Sequence, residues 1–478
     1  MSKQSTEFDA VIVGSGPNGL SAGIRLAQEG LRVKILEASS TIGGGTRTQE
    51  LTEPGFFHDV CSAVHPTAVS SPFFRSLNLE NHGLEWIHPK YPFAHPLEDG
   101  KAMVISKSLE KTLATLGKDS KNYRQLYKEF IEHWDLLSED VFGELRIPKH
   151  PLITARFGWY GMFSAKLLSN SMFDLAGTKA LFAGCAAHSI LPLNKAFTAS
   201  FGLVLGASAH AVGWPFAKAG SASVTKALAK VFESLSGAIE TEIEVTSLSQ
   251  LPSSKTILFD LTPLQISRIA GDKLPSSYKN KLHRFKYGPG VFKMDWALSE
   301  PVPWINEKCK EAGTLHLGGT FEEIADSEIT AWKGEHHEKP YVLLSQPSVF
   351  DESRAPKGKH TLWAYCHVPN GSEKDMSEAI ENQIERYAPG FRDTIISKKT
   401  MNTRQMETYN PNYIGGDING GAQIMRQLFG RPVLKWNPYK IPVEGMYICS
   451  ASTPPGGGVH GMSGFNAAQS VLKNEFGL

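Results

Sequence analysis

Hydrophobic residues along the chain fall into three regimes. The first apolar run, Phe8 to Val13, is short and nearly continuous, as expected of a parallel strand buried on both faces. It ends at Gly14-Ser15-Gly16-Pro17-Asn18-Gly19. Leu20 to Glu29, rich in small and aliphatic residues, predicts a helix that stops at Gly30. Val33 to Leu36 predicts a second strand, closed by Glu37. From about 70 to 200 the pattern is aromatic-rich and mostly helical, as in Tyr123 to Phe142, and Phe157 to Phe163 is strongly apolar. Ala222 to Leu235 has helical spacing, whereas Ala238 to Leu248 alternates like a strand. Beyond about 265, the runs Val291–Leu298, Tyr341–Leu344 and His360–Val368 predict an antiparallel sheet. Gly445 to Ala451 predicts a last strand, with a helix from about Ser463 to Leu472. No fixed-period repeat or low-complexity linker separates these regimes, so they are expected to interleave.

At 478 residues the chain exceeds one hydrophobic core, so two joined domains are expected. With 49 Lys+Arg against 48 Asp+Glu, net charge gives no reason to expect a nucleic-acid partner. The five cysteines are scattered, without the spacing of a metal site, a disulfide framework or a redox pair. The opening MSKQSTEFDA lacks the apolar core of a secretory signal, and no stretch is long and apolar enough to span a bilayer. A cytoplasmic setting is expected, with no metal.

Gly14-x-Gly16-x-x-Gly19 gains its meaning from context, because it leaves a strand and opens a helix. Gly14 permits the tight turn, Gly16 lets backbone approach a pyrophosphate, and Gly19 lets the helix pack on the strand. The N–H groups of that turn and the helix dipole then favour the anion. Glu37, eighteen residues beyond Gly19, is placed to accept from ribose hydroxyls and to repel a 2′-phosphate. That disfavours NADP and leaves FAD and NAD open.

Further residues bear on the choice. Gly43-Gly44-Gly45-Thr46-Arg47 follows Glu37 and Ala38 as a second glycine-rich bend. Ser452-Thr453-Pro454-Pro455-Gly456-Gly457-Gly458-Val459-His460-Gly461-Met462 joins the last strand to the last helix. The first segment resembles the flavoprotein family that includes amine oxidases and phytoene desaturases. The second resembles the carboxy-terminal FAD signature of phytoene desaturases. Such a helix N-terminus can face the flavin N1/C2 edge and favour negative charge there. Phe57 to Pro66, His210 to Pro215, Tyr287 to Leu298 and Arg386 to Phe391 extend the resemblance over nearly the whole chain. They are similar to the phytoene dehydrogenase-like branch called pyridine nucleotide-disulphide oxidoreductase domain-containing protein 2. The paired cysteines that disulphide chemistry needs are missing.

The resemblance implies an α/β fold, a Rossmann-type FAD-binding domain interleaved with an α+β substrate domain. The first would comprise 1–69, 205–265 and 441–478. The second would comprise a helical part, 70–204, and an antiparallel-sheet part, 266–440. Non-covalent FAD would be held by Gly14, Ser15, Gly16, Pro17, Asn18, Gly19, Glu37, Ala38, Gly43, Gly44, Gly45, Thr46, Arg47 and Val64. Ser452, Pro455, Gly456, Gly457, Gly458, Val459, His460, Gly461 and Met462 would complete the site, and Val245 would contact adenine through a strand backbone.

A flavin takes hydride itself, so the chain must place the substrate, exclude water and accept a proton. Candidates for the proton are His65, Lys293 and His460, with structural packing as the alternative for the first two and a cofactor or loop contact as the alternative for His460. Lys293 lies between Phe292 and Met294, so alternation leaves its direction open. Cys61 is expected to pack as a small residue and not to bond the flavin. No second strand–glycine–helix unit is present for a nicotinamide, which points to oxygen or a quinone as electron acceptor. The leading expectation is dehydrogenation or desaturation of an apolar substrate. An amine oxidase producing hydrogen peroxide, a flavin-dependent isomerase and a non-catalytic flavin-bound interaction protein are the alternatives. Phe157 to Leu168 is either a lid, a channel wall, a peripheral membrane contact or a buried helix end.

Overall fold

Phe8–Val13 is a strand whose Ala10, Val11 and Ile12 lose all contact with solvent, as a strand covered on both faces requires. A computed structural model describes residues 7–144 and 147–478; the first six positions of the segment screened for a secretory signal lie outside the described residues. Among the described residues, Phe8–Val13 is the middle of a five-stranded parallel sheet ordered Met446–Ile448, Ser254–Phe259, Phe8–Val13, Val33–Leu36 and Ala238–Glu240. Three widely separated stretches of chain thus supply one sheet. The helix Pro17–Gln28 packs beside the last long helix, Met462–Val471. Their approach is so close that a Cβ on Gly464 would collide with the Asn18 carbonyl. Each fully buried aliphatic side chain of the first helix, such as Leu20 or Ile24, contributes roughly 1.5–3 kcal/mol.

The second sheet has seven strands, ordered Ile395–Met401, Gly290–Leu298, His360–Val368, Val342–Ser345, Ala312–Leu317, Tyr91–Pro96 and Ala102–Ile105. Its pairs are antiparallel except Tyr91–Pro96 with Ala312–Leu317, which run parallel. Register sets Lys293, Tyr365, Leu343 and His316 side by side in one cross-strand row, hence on one face. Helices between Leu109 and Ala211 cover one end of the molecule, with Leu126, Phe130 and Leu203 in their shared core.

Several expectations change. The region 70–204 is not wholly helical, because it contributes the strands Tyr91–Pro96 and Ala102–Ile105 to the second sheet. The division at 204/205 falls inside the helix Thr198–Ala211. Tyr123 to Phe142 breaks into Ser120–Glu132 and Trp134–Val141 at His133, whose φ/ψ of −114°/29° is not helical. The alternation from Ala238 to Leu248 is a strand only as far as Glu240. Glu242 then takes a positive φ of 61°, and its N–H and that of Ile243 turn onto the Ser39 and Glu37 carbonyls. Val245 therefore lies on no strand.

Candidate cofactor and active site

The fingerprint turn behaves as its glycines require. Gly14 has φ +104°, and a Cβ on Gly19 would strike the Gly14 carbonyl. The second glycine bend folds against the first: the Gly43 N–H donates to the Ser15 carbonyl at 3.2 Å, and a Cβ on Gly44 would come within 3.2 Å of the Gly16 Cα. Beside them opens a cavity of about 630 Å³, within the range of small-molecule and cofactor sites.

Residues more than four hundred positions apart meet on its wall. Gly16, Pro17 and Asn18 line it from the fingerprint; Gly44, Gly45 and Thr46 from the second bend; Val64 from the loop after Phe57–Asp59. Ser452, Pro455, Gly457, Gly458, Val459 and His460 line it from the carboxy-terminal loop. Gly14, Ser15, Gly19, Gly43, Gly456, Gly461 and Met462 shape these loops from behind and do not line the cavity. Glu37, Ala38, Arg47 and Val245, assigned from sequence to nucleotide recognition, also lie off its wall.

Glu37 is fully engaged. Its Oε2 accepts from Ser15 N–H at 3.0 Å and Ser15 Oγ at 2.6 Å, and its Oε1 accepts from Ser39 N–H at 2.9 Å and Arg47 Nη2 at 3.1 Å. Those four bonds fill the lone-pair sites of a carboxylate, so an incoming ribose hydroxyl must displace or share one. Arg47 also donates to the Thr41 carbonyl from Nε at 3.0 Å and to that of Gly44 at 3.3 Å. It braces the glycine bend around Glu37. Val245 is buried with Val11, Leu36 and Phe259.

Of the three candidates for the proton, Lys293 and His65 are buried off the cavity wall and only His460 lines it. Lys293 is on the same sheet face as the cavity-lining Tyr365, one strand further on, where it forms an ion pair with Asp295. The alternation between Phe292 and Met294 thus resolves toward the interior. Burial pushes the Asp295 carboxyl up to about 6, against the pull of Lys293. His65 has its Nε2 2.9 Å from Ser221 Oγ and its ring 5.7 Å from that of Trp86. Burial lowers it to about 4, so it is neutral at physiological pH and ties the loop to the helix that begins at Ala222. His460 lines the cavity, and its Nδ1 accepts the Met462 N–H at 3.0 Å at the start of the last helix. Burial lowers it to about 4, so this acceptor is neutral.

Cys61 lines the cavity, and burial raises its thiol above the ordinary range, which makes it a poor nucleophile. Among the described residues no group of His, Cys, Asp and Glu could hold a metal ion.

Sequence reasoning missed Asp260. It follows the strand Ser254–Phe259 and reaches the cavity wall, where its Oδ2 accepts the Gly19 N–H at 3.0 Å. The signal was available, since ligands of open parallel sheets bind outside the carboxyl ends of strands. Also missed was the floor formed by Thr314, Leu343 and Tyr365 of the second sheet, and His188 beside Trp214. His188 Nε2 lies 3.2 Å from His316 Nε2, and burial takes His188 down to about 3, so the pair shares no cationic charge.

The residues present fit a dinucleotide. Gly16 brings backbone without a side chain to the cavity wall, Asn18 Oδ1 is buried without a partner beside it, and a Cβ on Gly16 would come within 2.7 Å of Asp260 Oδ2. Comparison with known proteins agrees. The family model described as NAD(P)-binding Rossmann-like domain matches residues 12–78. Pyridine nucleotide-disulfide oxidoreductase domain-containing protein 2 of Mus musculus is 24% identical over 552 aligned positions, covering 98% of this chain and 94% of that one. The neurosporene-forming phytoene desaturase of Rhodobacter capsulatus is 24% identical over 511 positions, covering 95% and 92%. The solved structure of wild-type putrescine oxidase bound to putrescine shares the fold, with a TM-score of 0.64 at 17% identity over 98% of this chain and 99% of that one. The chain is thus similar over nearly its whole length to phytoene desaturases and to pyridine nucleotide-disulfide oxidoreductase domain-containing protein 2, and it shares the fold of putrescine oxidase.

Proposed function

We propose that the chain binds FAD non-covalently in this cavity and dehydrogenates an apolar substrate. The observation that carries this reading is the continuity of the cavity, which runs from the bared backbone of Gly16 and Gly44 to a wall of Phe157, Met162, Phe197, Val204 and Leu343. The nucleotide half would be held by the two glycine bends and the flavin half by residues 61–64 and 457–460. When bound, FAD supplies the hydride acceptor. The chain's own share is to hold the substrate against that ring and keep water out.

The apolar end favours an uncharged substrate over an amine. Its imidazole at His188 is neutral. The carboxylate at its edge, Asp140, already accepts from the N–H groups of Lys149 at 2.8 Å and His150 at 2.9 Å and from Thr154 Oγ at 2.7 Å. An ammonium group would be desolvated there without a free counter-charge, a costly exchange. Electrons would leave to oxygen or a quinone.

The mouth of the cavity supports delivery from a lipid surface. Met162, Phe197 and Phe429 line it, with the Phe197 and Phe429 rings 5.4 Å apart, and Trp159, Leu167 and Met425 are exposed beside them. Lys166, Lys195 and Arg426 are exposed in the same segments, a charge that complements anionic headgroups. No helix among the described residues is long and apolar enough to cross a membrane, so the contact would be peripheral.

Anaerobic mixing of the FAD-loaded protein with apolar alkenes and, separately, with primary amines tests the reading. Loss of the flavin's visible absorbance with an alkene and not with amines is expected. Reduction by amines alone overturns it, and fast stoichiometric reduction by NADH or NADPH overturns the choice of acceptor.

A further inference from the structure

Asp260 occupies ground that a diphosphate also needs. Its carboxylate accepts the Gly19 N–H at 3.0 Å, within the fingerprint turn whose donors suit an anion. It is more than nine-tenths buried, lines the cavity, and stands 2.7 Å from where a Cβ on Gly16 would be. The backbone holds it there: the Asp260 N–H donates to the Val13 carbonyl at 2.8 Å, and its own carbonyl accepts from Asn412 Nδ2 at 3.1 Å. The backbone of Asp260 is thereby fixed to the sheet beside the turn.

An ionised carboxylate beside a diphosphate is a like-charge contact in a poorly solvated place, whereas a neutral carboxyl group can donate a hydrogen bond to a phosphoryl oxygen. We propose that Asp260 meets the cofactor's diphosphate as the neutral acid, so that FAD binding takes up one proton at this carboxyl group and weakens as pH rises. The inference rests on the reading of the cavity as an FAD site. No bond changes other than O–H formation on Asp260, and the proton comes from solvent.

The groups facing Asp260 support this. Glu37, which follows Val33–Leu36 two strands away in the sheet, adds a negative charge whose own partner is Arg47. Cys449, which follows the strand Met446–Ile448, is buried close by with its thiol raised well above the ordinary range, so it brings no charge. Burial and then the Glu37 charge push the carboxyl up to about 7, against the backbone donors of Gly19 and Gly16. Deprotonation thus falls within the range where FAD binding can be measured.

The test adds FAD to the apoprotein in weakly buffered solution with a pH indicator, alongside FAD affinity from flavin fluorescence. Uptake should rise from near zero at pH 6 toward about one proton per FAD at pH 8, with affinity falling up to about tenfold per pH unit above neutrality. Asp260→Asn keeps the shape and removes the titration. It should bind FAD without proton uptake, with flat affinity that equals or exceeds that of the wild type at pH 8. Binding by the wild type without uptake overturns the proposal and leaves the FAD reading standing, and a folded Asp260→Asn protein that keeps the wild-type uptake does the same. Failure of the wild type to bind FAD at either pH overturns both.

Discussion

Arg354 donates from Nη2 to the Asp59 carboxylate at 2.8 Å, with both side chains fully buried between the second sheet and the loop that walls the cavity. Asp59 also accepts from Thr48 Oγ1 at 2.8 Å and from the Ser221 N–H at 2.8 Å, while Ser221 Oγ bonds the Ser62 carbonyl. Arg354, 295 positions from Asp59, and Ser221 are thereby both locked to residues 59–65. Although burial works to raise it, the Arg354 charge and these donors hold Asp59 below the usual carboxylate range.

Arg354→Gln should therefore be costly, because it strands a buried carboxylate. A loss of about 3–5 kcal/mol is expected from denaturant unfolding. Asp59 has a lowered pKa in the folded state, so its contribution is present above the unfolded value near 4 and is lost as pH falls through the folded one. The gap between wild type and variant should accordingly narrow in acid.

Asp295 gives the opposite sign. Its folded pKa, about 6, lies above the unfolded value, so the folded state binds the extra proton and stability falls as pH rises from about 4 to 6. Lys293→Met removes the cation that restrains this shift and extends the decline above pH 6. Thermal melts at pH 5.5 and 7.5 should show the variant losing more stability than the wild type across that interval, by up to about 1.4 kcal/mol per pH unit. Equal losses would show that the pair is not coupled.

Much of the nucleotide end is legible in sequence because it is local. Gly14 to Gly19, the helix that follows and Gly43 to Thr46 lie within forty residues of one another, and their backbone demands are carried by glycine itself. Asp260 and Arg354 are not legible in this way, because their partners sit 241 and 295 positions away. Tyr91–Pro96 contains Pro92 and Pro96, which weaken any strand pattern, and its place in the sheet comes from Ala312–Leu317. Ala238 to Leu248 misleads for a local reason, since alternation does not register the turn at Glu242.

Glu37→Gln should weaken FAD binding about tenfold or more. The amide keeps the shape, loses the charge that pairs Arg47, and cannot accept at all four sites; hydrogen bonds to charged groups are worth about 1.5–3 kcal/mol each. Equilibrium titration of the apoprotein with FAD measures this. Unchanged affinity would remove Glu37 from nucleotide recognition.

The mouth of the cavity is the place to test lipid contact. Trp159→Ser combined with Phe429→Ser removes two exposed or half-exposed rings while leaving the glycine bends intact. Co-sedimentation with anionic vesicles should drop at least tenfold, and raised salt should weaken the wild type as well. Undiminished sedimentation would locate any lipid contact elsewhere.

The central claim is that the glycine-lined cavity is a non-covalent FAD site. Its most direct measurement is the flavin content of protein reconstituted with FAD, gel-filtered and then denatured. One FAD per chain, wholly released on denaturation and absent when Gly16→Val fills the cavity wall, is the expected result. No retained flavin, flavin that stays on the denatured chain, or full retention by a folded Gly16→Val protein would contradict it.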